Sequence, residues 1–418
     1  MLITNVRPWG GAPCDLAVRD GVITALTPHD PARPTTGDAT GDAAGVTKDG
    51  PAGDVVAGRG RLAVPSFSDV HCHLDATRIG LPFRPHTGAP GVWAMTMNDR
   101  AHWRDDEWTV AERATHTLGR MIERGTTRVR SYAQIDADSG LERFEGVLAA
   151  KEAHAGRCEV EIMAFPQAGL LREKGVPDLM DRALSSGAAV VGGIDPCTLD
   201  RDPVRHLDIV FGLAERHQAP IDMHLHEPGP LGVFSVDLIL ERVRALGMAG
   251  QVTLSHAYDL GSVDEATTRR LIEEFAELDI AMATIAPAQH HALPLADLTA
   301  AGVRVGLGED GQRDYWSPYG NADMLDRTWQ LAFTNRYRAD ELIEHCMAVA
   351  TLGGAAILDG GLPRLTSVAD RPGLAVGDRA DLLLVDGETV TSAVMDRGTD
   401  RTVLHDGRVV ADGLKLVG

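Results

Sequence analysis

Two histidines one residue apart, His71 and His73, close the apolar run Val64-Pro65-Ser66-Phe67-Ser68-Asp69-Val70. If that run is a strand, its period of two turns both imidazoles to one side, where they can share a cation, and turns Cys72 to the other. Alone, His-x-His has a plainer reading: polar side chains where a strand runs out into solvent. Other apolar runs end the same way, however. The run at 160–166 is followed by Gln167, that at 220–226 ends in His224 and His226 with Glu227 next, that at 252–256 ends in His256, and that at 303–307 leads to Glu309-Asp310. Imidazoles and carboxylates bind divalent ions and move protons, so a series of such endings, hard to reach by chance, points to a metal-competent site.

The elements that must position these residues follow from periodicity. Eight candidate strands, 62–70, 127–132, 160–166, 189–193, 220–226, 252–256, 281–285 and 303–307, alternate with helix-like segments. Most intervals hold a strand, a helix and two loops, as a (β/α)8 barrel requires. Before the second strand, Val110, Ala114, Leu118, Met121 and Ile122 share one helical face and Gly125 stands where a helix ends. The segment 264–278 reads similarly through Leu271, Ile272, Phe275 and Leu278. A doubly wound open sheet gives the same alternation. The concentration of polar residues at strand C-termini favours the α/β barrel, whose chemistry lies at that end.

Both termini read as β structure. Asp20-Gly21 and Asp406-Gly407 each stand between strand-like runs as hairpin turns, and 380–385 is a further strand-like run. Neither end can build a core alone, so the two are expected to pack together as one small composite β-sandwich. The expected organisation is 1–64 for the N-terminal part of that β domain, 65–360 for the barrel and 361–418 for the C-terminal part. The stretch from Pro28 to Asp54, rich in Gly, Asp, Ala, Pro and Thr, reads as a surface loop.

The 418 residues carry a formal net charge of −20, which argues against nucleic acid or an anionic membrane as a partner, since both demand clustered Lys and Arg. No apolar run reads as long enough to span a bilayer, and the first residues lack the basic-then-apolar pattern of a secretory signal, so a cytoplasmic location is expected. The five scattered cysteines fit neither a disulfide framework nor a zinc knuckle.

In the order and spacing of its motifs the chain resembles the amidohydrolase superfamily, within it the cytosine deaminase branch, over nearly its whole length. The matching segments are His71-Cys72-His73-Leu74-Asp75, Ala164-Phe165-Pro166-Gln167-Ala168-Gly169, Ile221-Asp222-Met223-His224-Leu225-His226-Glu227, Leu254-Ser255-His256, Gly308-Glu309-Asp310 and the stretch from Trp316 to Leu325. The resemblance implies that His71, His73, His224 and Asp310 hold one divalent ion, zinc or iron. It implies that Asp310 takes a proton from metal-bound water, that His256 orients the resulting hydroxide, and that Glu227 carries a proton to a ring nitrogen. Gln167, able to donate and accept, would read an amide edge of a heterocycle, and Trp316 would wall the pocket. The fourth strand has no Lys to bridge a second metal, so a mononuclear centre is expected.

Three departures bear on substrate. Gly311 replaces a second Asp and should leave space and remove an anion beside the base. His226 stands where the branch has Asp, on the side of the strand that His224 faces, which leaves it open as a pocket residue, a support for a ligand or an extra ligand. Arg130 is followed by Ser131-Tyr132 rather than His and Asp. His86, His290 and His291 lie on loops of the same face, and the loop 77–104, with Trp93 and Trp103, could cover the site. The resulting expectation is an aminohydrolase releasing ammonia from an amino-substituted pyrimidine, purine or triazine. The alternatives are hydrolysis of a cyclic amide or N-alkylamino heterocycle at the same metal, or a non-catalytic binding protein. A small heterocycle is the expected partner, and relatives in this superfamily often form homo-oligomers.

Overall fold

A computed structural model describes residues 1–32, 46–47, 55–88, 90–288 and 292–417. Eight parallel strands run in chain order around a barrel: Phe67–Cys72, Thr126–Gln134, Glu159–Phe165, Val190–Ile194, Ile221–Leu225, Val252–His256, Ala281–Thr284 and Val305–Leu307. The seam between last and first strands is drawn together where Cys72 bridges Asp310 and the Asp310 N–H donates to the His71 carbonyl at 2.7 Å. Gly308 makes this approach feasible, because a Cβ there would lie 2.5 Å from His71 Cβ and 2.6 Å from its carbonyl oxygen. The fold is the expected (β/α)8 barrel. Its strands are buried on both faces and read as near-continuous apolar runs for that reason.

The run expected as one strand over 62–70 is divided. Leu62–Pro65 pairs with the terminal strands Leu2–Pro8 and Leu382–Val385, and only from Phe67 does the chain enter the barrel. One apolar run therefore serves two sheets. Helix Val110–Glu123 starts from a capping box between Thr109 and Glu112 and buries Val110, Ala114, Leu118, Met121 and Ile122 against the barrel. Helix Glu265–Glu277 is capped by Asp264 and buries Leu271, Ile272 and Phe275. By length and apolarity alone, the helical stretch Asp340–Leu358 could cross a membrane, against the expectation that no run is long enough, but 72% of its apolar window is buried, as in a core helix.

Strands from both ends of the chain form a second sheet, in which Lys415–Leu416, Arg408–Asp412, Arg401–His405, Leu382–Val385, Leu62–Pro65, Leu2–Pro8, Cys14–Arg19 and Val22–Pro28 are successive neighbours. Asp20, Gly21, Asp406 and Gly407 all have positive φ, the geometry of tight hairpin turns. These two turns meet. Ala380 joins them, donating to the Gly21 carbonyl at 2.7 Å and accepting from the Gly407 N–H at 3.2 Å. The Pro28 to Asp54 stretch lies largely outside the described residues, as do His290 and His291. The described cysteines are all free thiols.

Candidate metal centre and active site

At the C-terminal end of the barrel, strand ends bring five ionisable side chains together. Ligand atoms of His71, His73 and His224 lie within 4.8 Å of one another, and so do those of His71, His256 and Asp310. Asp310 Oδ1 is 3.4 Å from His71 Nε2 and 3.3 Å from His73 Nε2. The His71 ring centroid is 4.6 Å from those of His224 and His256. The Asp310 side chain keeps 30% of its surface exposed, so the cluster is reachable from the barrel mouth. Two of its members sit on strained backbone, His256 at φ 68° and Asp310 at φ 61°, conformations that cost a non-glycine residue about 1–3 kcal/mol each.

Burial and the neighbouring imidazoles hold His224 and His256 well below the ordinary histidine range, and burial lowers His71 against the pull of Asp310. Neutral rings with free lone pairs are what a divalent ion requires. Burial works against the Asp310 carboxylate, but the His71 and His73 rings close to it outweigh that cost and keep the group well below the usual range. His71 Nε2 and both ring nitrogens of His224 are buried without a hydrogen-bond partner, an arrangement that is costly unless something else takes the lone pairs. The donors are of the kind that hold a divalent cation, and they form two overlapping groups, His71 with His73 and His224, and His71 with His256 and Asp310.

A buried network orients the first of these. The Tyr132 hydroxyl lies 3.0 Å from His71 Nδ1, 3.1 Å from Asp222 Oδ2 and 3.1 Å from Ser255 Oγ, while Ser255 donates to Asp222 Oδ1 at 2.6 Å. Arg130 donates to the same carboxylate at 3.0 Å. With the Tyr132 proton on Asp222, the hydroxyl oxygen accepts from His71 Nδ1–H, leaving the Nε2 lone pair for the cluster. Sequence reasoning missed Tyr132, Asp222 and Ser255. The signal was there: Asp222 is two residues before His224 and Tyr132 two after Arg130, so strand alternation places each pair on one face.

Around this centre the other expected residues divide. Gln167 is buried just beyond the third strand. The His226 ring lies 4.4 Å from that of His256, and its Nδ1 is 2.8 Å from Asp195 Oδ2, with Asp195 Oδ1 accepting the His226 backbone N–H at 2.7 Å. Burial disfavours charge on His226, but the Asp195 carboxylate outweighs it and raises the ring above its ordinary value. Glu227, expected to carry a proton to the ring, is held through both carboxylate oxygens. Its Oε1 accepts from the backbone N–H groups of Cys197 at 2.9 Å and Thr198 at 2.6 Å and from the Thr198 hydroxyl at 3.0 Å, and its Oε2 accepts from Ser235.

The space expected at Gly311 is occupied. A Cβ built on Gly311 would overlap Oδ2 of Asp314 and lie 3.0 Å from its Cγ. A carboxyl group is therefore present beside residue 311, supplied from three positions further on. Burial and the Asp310 charge push Asp314 up to about 7, against the backbone N–H groups of Ser317 and Trp316. Trp316 is half-buried in the same loop. The segment 77–104 contains helix Gly91–His102 and grips both substrate-side loops. His86 Nε2 is 2.7 Å from the Asp314 carbonyl and Asn98 donates to the Tyr315 carbonyl at 3.1 Å, while Arg100 pairs with Glu173 and Arg172 lies 3.8 Å over the Trp93 ring.

The family described as "Amidohydrolase family" matches residues 93–411, most of the chain. The chain belongs to the amidohydrolase family. It is 35% identical to N-isopropylammelide isopropylaminohydrolase from Burkholderia multivorans, whose crystal structure superposes with a TM-score of 0.87 over 100% of this chain and 99% of that one. It is 25% identical to N-isopropylammelide isopropyl amidohydrolase of Pseudomonas sp. strain ADP, covering 85% of this chain and 88% of that protein. The crystal structure of 5-methylcytosine deaminase from Klebsiella pneumoniae is 26% identical with a TM-score of 0.77, over 99% and 98% of the two chains. The protein is thus an amidohydrolase acting on carbon–nitrogen bonds other than peptide bonds, and amidohydrolases generally depend on divalent metal.

Proposed function

We propose that this amidohydrolase releases an amine, a small alkylamine in preference to ammonia, from a carbon of an oxo-substituted six-membered nitrogen heterocycle. One observation carries the reading: the cluster of His71, His73, His224, His256 and Asp310 lies beside the Asp195-oriented His226. The choice of leaving group is supported by the higher identity and TM-score to the isopropylaminohydrolase than to the methylcytosine deaminase.

A divalent ion held by His71, His73, His224 and Asp310, zinc or iron, would supply Lewis acidity and lower the pKa of water towards about 7. Asp310, partly exposed and anionic, is the acceptor for the proton that water loses. His256, kept neutral, can direct the nucleophile by hydrogen bonding. His226 donates Nδ1–H to Asp195, whose charge favours the protonated ring, so Nε2 also carries a proton that passes to the departing nitrogen and is replaced by the one Asp310 took from water. Glu227 positions the Cys197–Thr198 loop rather than moving the proton. Gln167 and Trp316 hold and stack the ring. Water adds to the ring carbon, the carbon–nitrogen bond breaks, and the amine leaves with the transferred proton while the ring keeps the oxygen.

The test is mass analysis of products from metal-loaded protein given N-isopropylammelide, 5-methylcytosine and cytosine. Isopropylamine from the first at the highest kcat/KM is expected. Failure to release amine from any of the three, or ring opening by addition of water without loss of amine, would overturn the proposal.

A further inference from the structure

Asp314 has no part in the chemistry above, yet the structure builds it into the substrate side of the site. It is 3% exposed, and its Oδ1 accepts the backbone N–H groups of Trp316 and Ser317, each at 2.8 Å. Those two bonds set the plane of the carboxyl group and commit one oxygen. The other, Oδ2, occupies the position from which a side chain on residue 311 would grow. Residue 311 directly follows Asp310, so that oxygen borders the cluster, and the Asp314 charge acts on His73. From the opposite side, His86 holds the Asp314 carbonyl at 2.7 Å. The group is thus fixed at both ends, with one acceptor oxygen left over.

We propose that Asp314 is a specificity-determining residue, whose Oδ2 accepts a hydrogen bond from an N–H on the ring edge of the substrate and selects lactam rings over N-alkylated ones. The inference rests on the reading that a nitrogen heterocycle binds over Asp310 beside Trp316. A glutamine such as Gln167 can meet either a donor or an acceptor, so it does not by itself fix the pattern on the ring edge. Above its pKa of about 7 the Asp314 carboxyl group is ionised and only accepts, so the preference is read at pH values above that point. A ring that presents an alkylated nitrogen there leaves a buried acceptor unpaired, which is the arrangement that gives large discrimination. Gly311 belongs to the same device, since any side chain at 311 would displace Oδ2.

The test compares metal-loaded wild type, Asp314→Asn and Gly311→Ala in calorimetric titrations with two trioxotriazines, cyanuric acid with three N–H groups and its trimethylated derivative with none. Asp314→Asn keeps an oxygen for Trp316 and Ser317 but puts an NH2 donor in place of Oδ2. Wild type should bind cyanuric acid about tenfold or more tightly than the trimethyl ring, and both variants should lose about tenfold or more of that preference. With N-isopropylammelide, KM should rise more than kcat falls. A wild-type preference retained in both variants, or equal weakening of both rings, overturns the inference while leaving amine release intact. A wild type that binds neither ring and releases no amine overturns both.

Discussion

Tyr132 is the residue on which the histidine cluster turns. Its hydroxyl joins His71 to the buried Asp222 and Ser255, so Tyr132→Phe should lower metal affinity about 10- to 100-fold with the chain still folded. Competition with a chelator reads this directly, and unchanged affinity would dismiss the network as scaffolding. In the proposed mechanism His226 takes over the proton transfer that the motif pattern assigns to Glu227, and Glu227 holds a loop. Replacing His226 with Asn should cut kcat about 10²- to 10⁴-fold with metal retained, as expected for loss of a general acid. In Glu227→Gln the new amide would face donors from Cys197, Thr198 or Ser235, so a lowered Tm should dominate over any fall in kcat. The opposite pattern, a Glu227→Gln enzyme of undiminished stability without turnover, would return the proton to Glu227. The ligand candidates could be read from the sequence because each is a polar residue ending an apolar run. Asp195 and Asp314 could not, because their roles depend on loops that fold back over residues 226 and 311.

At the level of elements, the strand–helix alternation was legible throughout, since burial on both barrel faces leaves uninterrupted apolar runs and the outer helices keep one apolar face. The exception was the run at 62–70, whose even apolarity hides that Ser66 separates two sheets. Helix Gly91–His102 was also hidden, because it buries few side chains and attaches through charge: Arg100 pairs with Asp136 and Glu173, and Asn98 reaches the Tyr315 carbonyl. This helix ties the loop carrying Gln167 to the loop carrying Trp316. Arg100→Ala should therefore raise KM about three- to tenfold, a cost on the order of 1 kcal/mol, with little change in kcat. A kcat that falls while KM holds would show that the helix shapes the metal centre and not the substrate loops.

Across the whole molecule, Asp381 fastens the terminal sheet to the barrel. It accepts from Arg128 of the second barrel strand at 2.6 Å and from the Asp406 N–H of the C-terminal hairpin at 2.7 Å, and it is 3% exposed. Burial would raise its pKa, but the His405 hydrogen bond, the Arg128 charge and the Asp406 N–H bring it down to about 2. A carboxyl group lowered on folding stabilises fully above its unfolded pKa of about 3.9, and the contribution, about 2–3 kcal/mol, fades as pH falls through the folded value. Asp381→Asn leaves Arg128 buried and underpaired, so it should destabilise by about 3–5 kcal/mol at neutral pH and flatten the acid limb of the stability curve. Denaturant unfolding at several pH values checks both, and an unaltered acid limb would remove Asp381 from the account. The same two-ended sheet places Arg401 on Asp323 at 2.8 Å, at the end of the loop that carries Asp314 and Trp316. The terminal sheet thus supports the substrate loop as well as the barrel wall. Its existence was legible from the paired Asp-Gly turns, whereas its contact with that loop depends on residues far apart in the chain.

The central claim is that one metal, held by His71, His73, His224 and Asp310, serves amine release. The measurement that meets it most directly is metal content per chain and amine release from N-isopropylammelide, followed in the same samples as the protein is stripped with a chelator and reloaded. Activity should follow occupancy linearly and reach its maximum at about one divalent ion per chain, as a mononuclear hydrolytic site requires. Amine release that persists in stripped protein, or that requires two ions per chain, would contradict it.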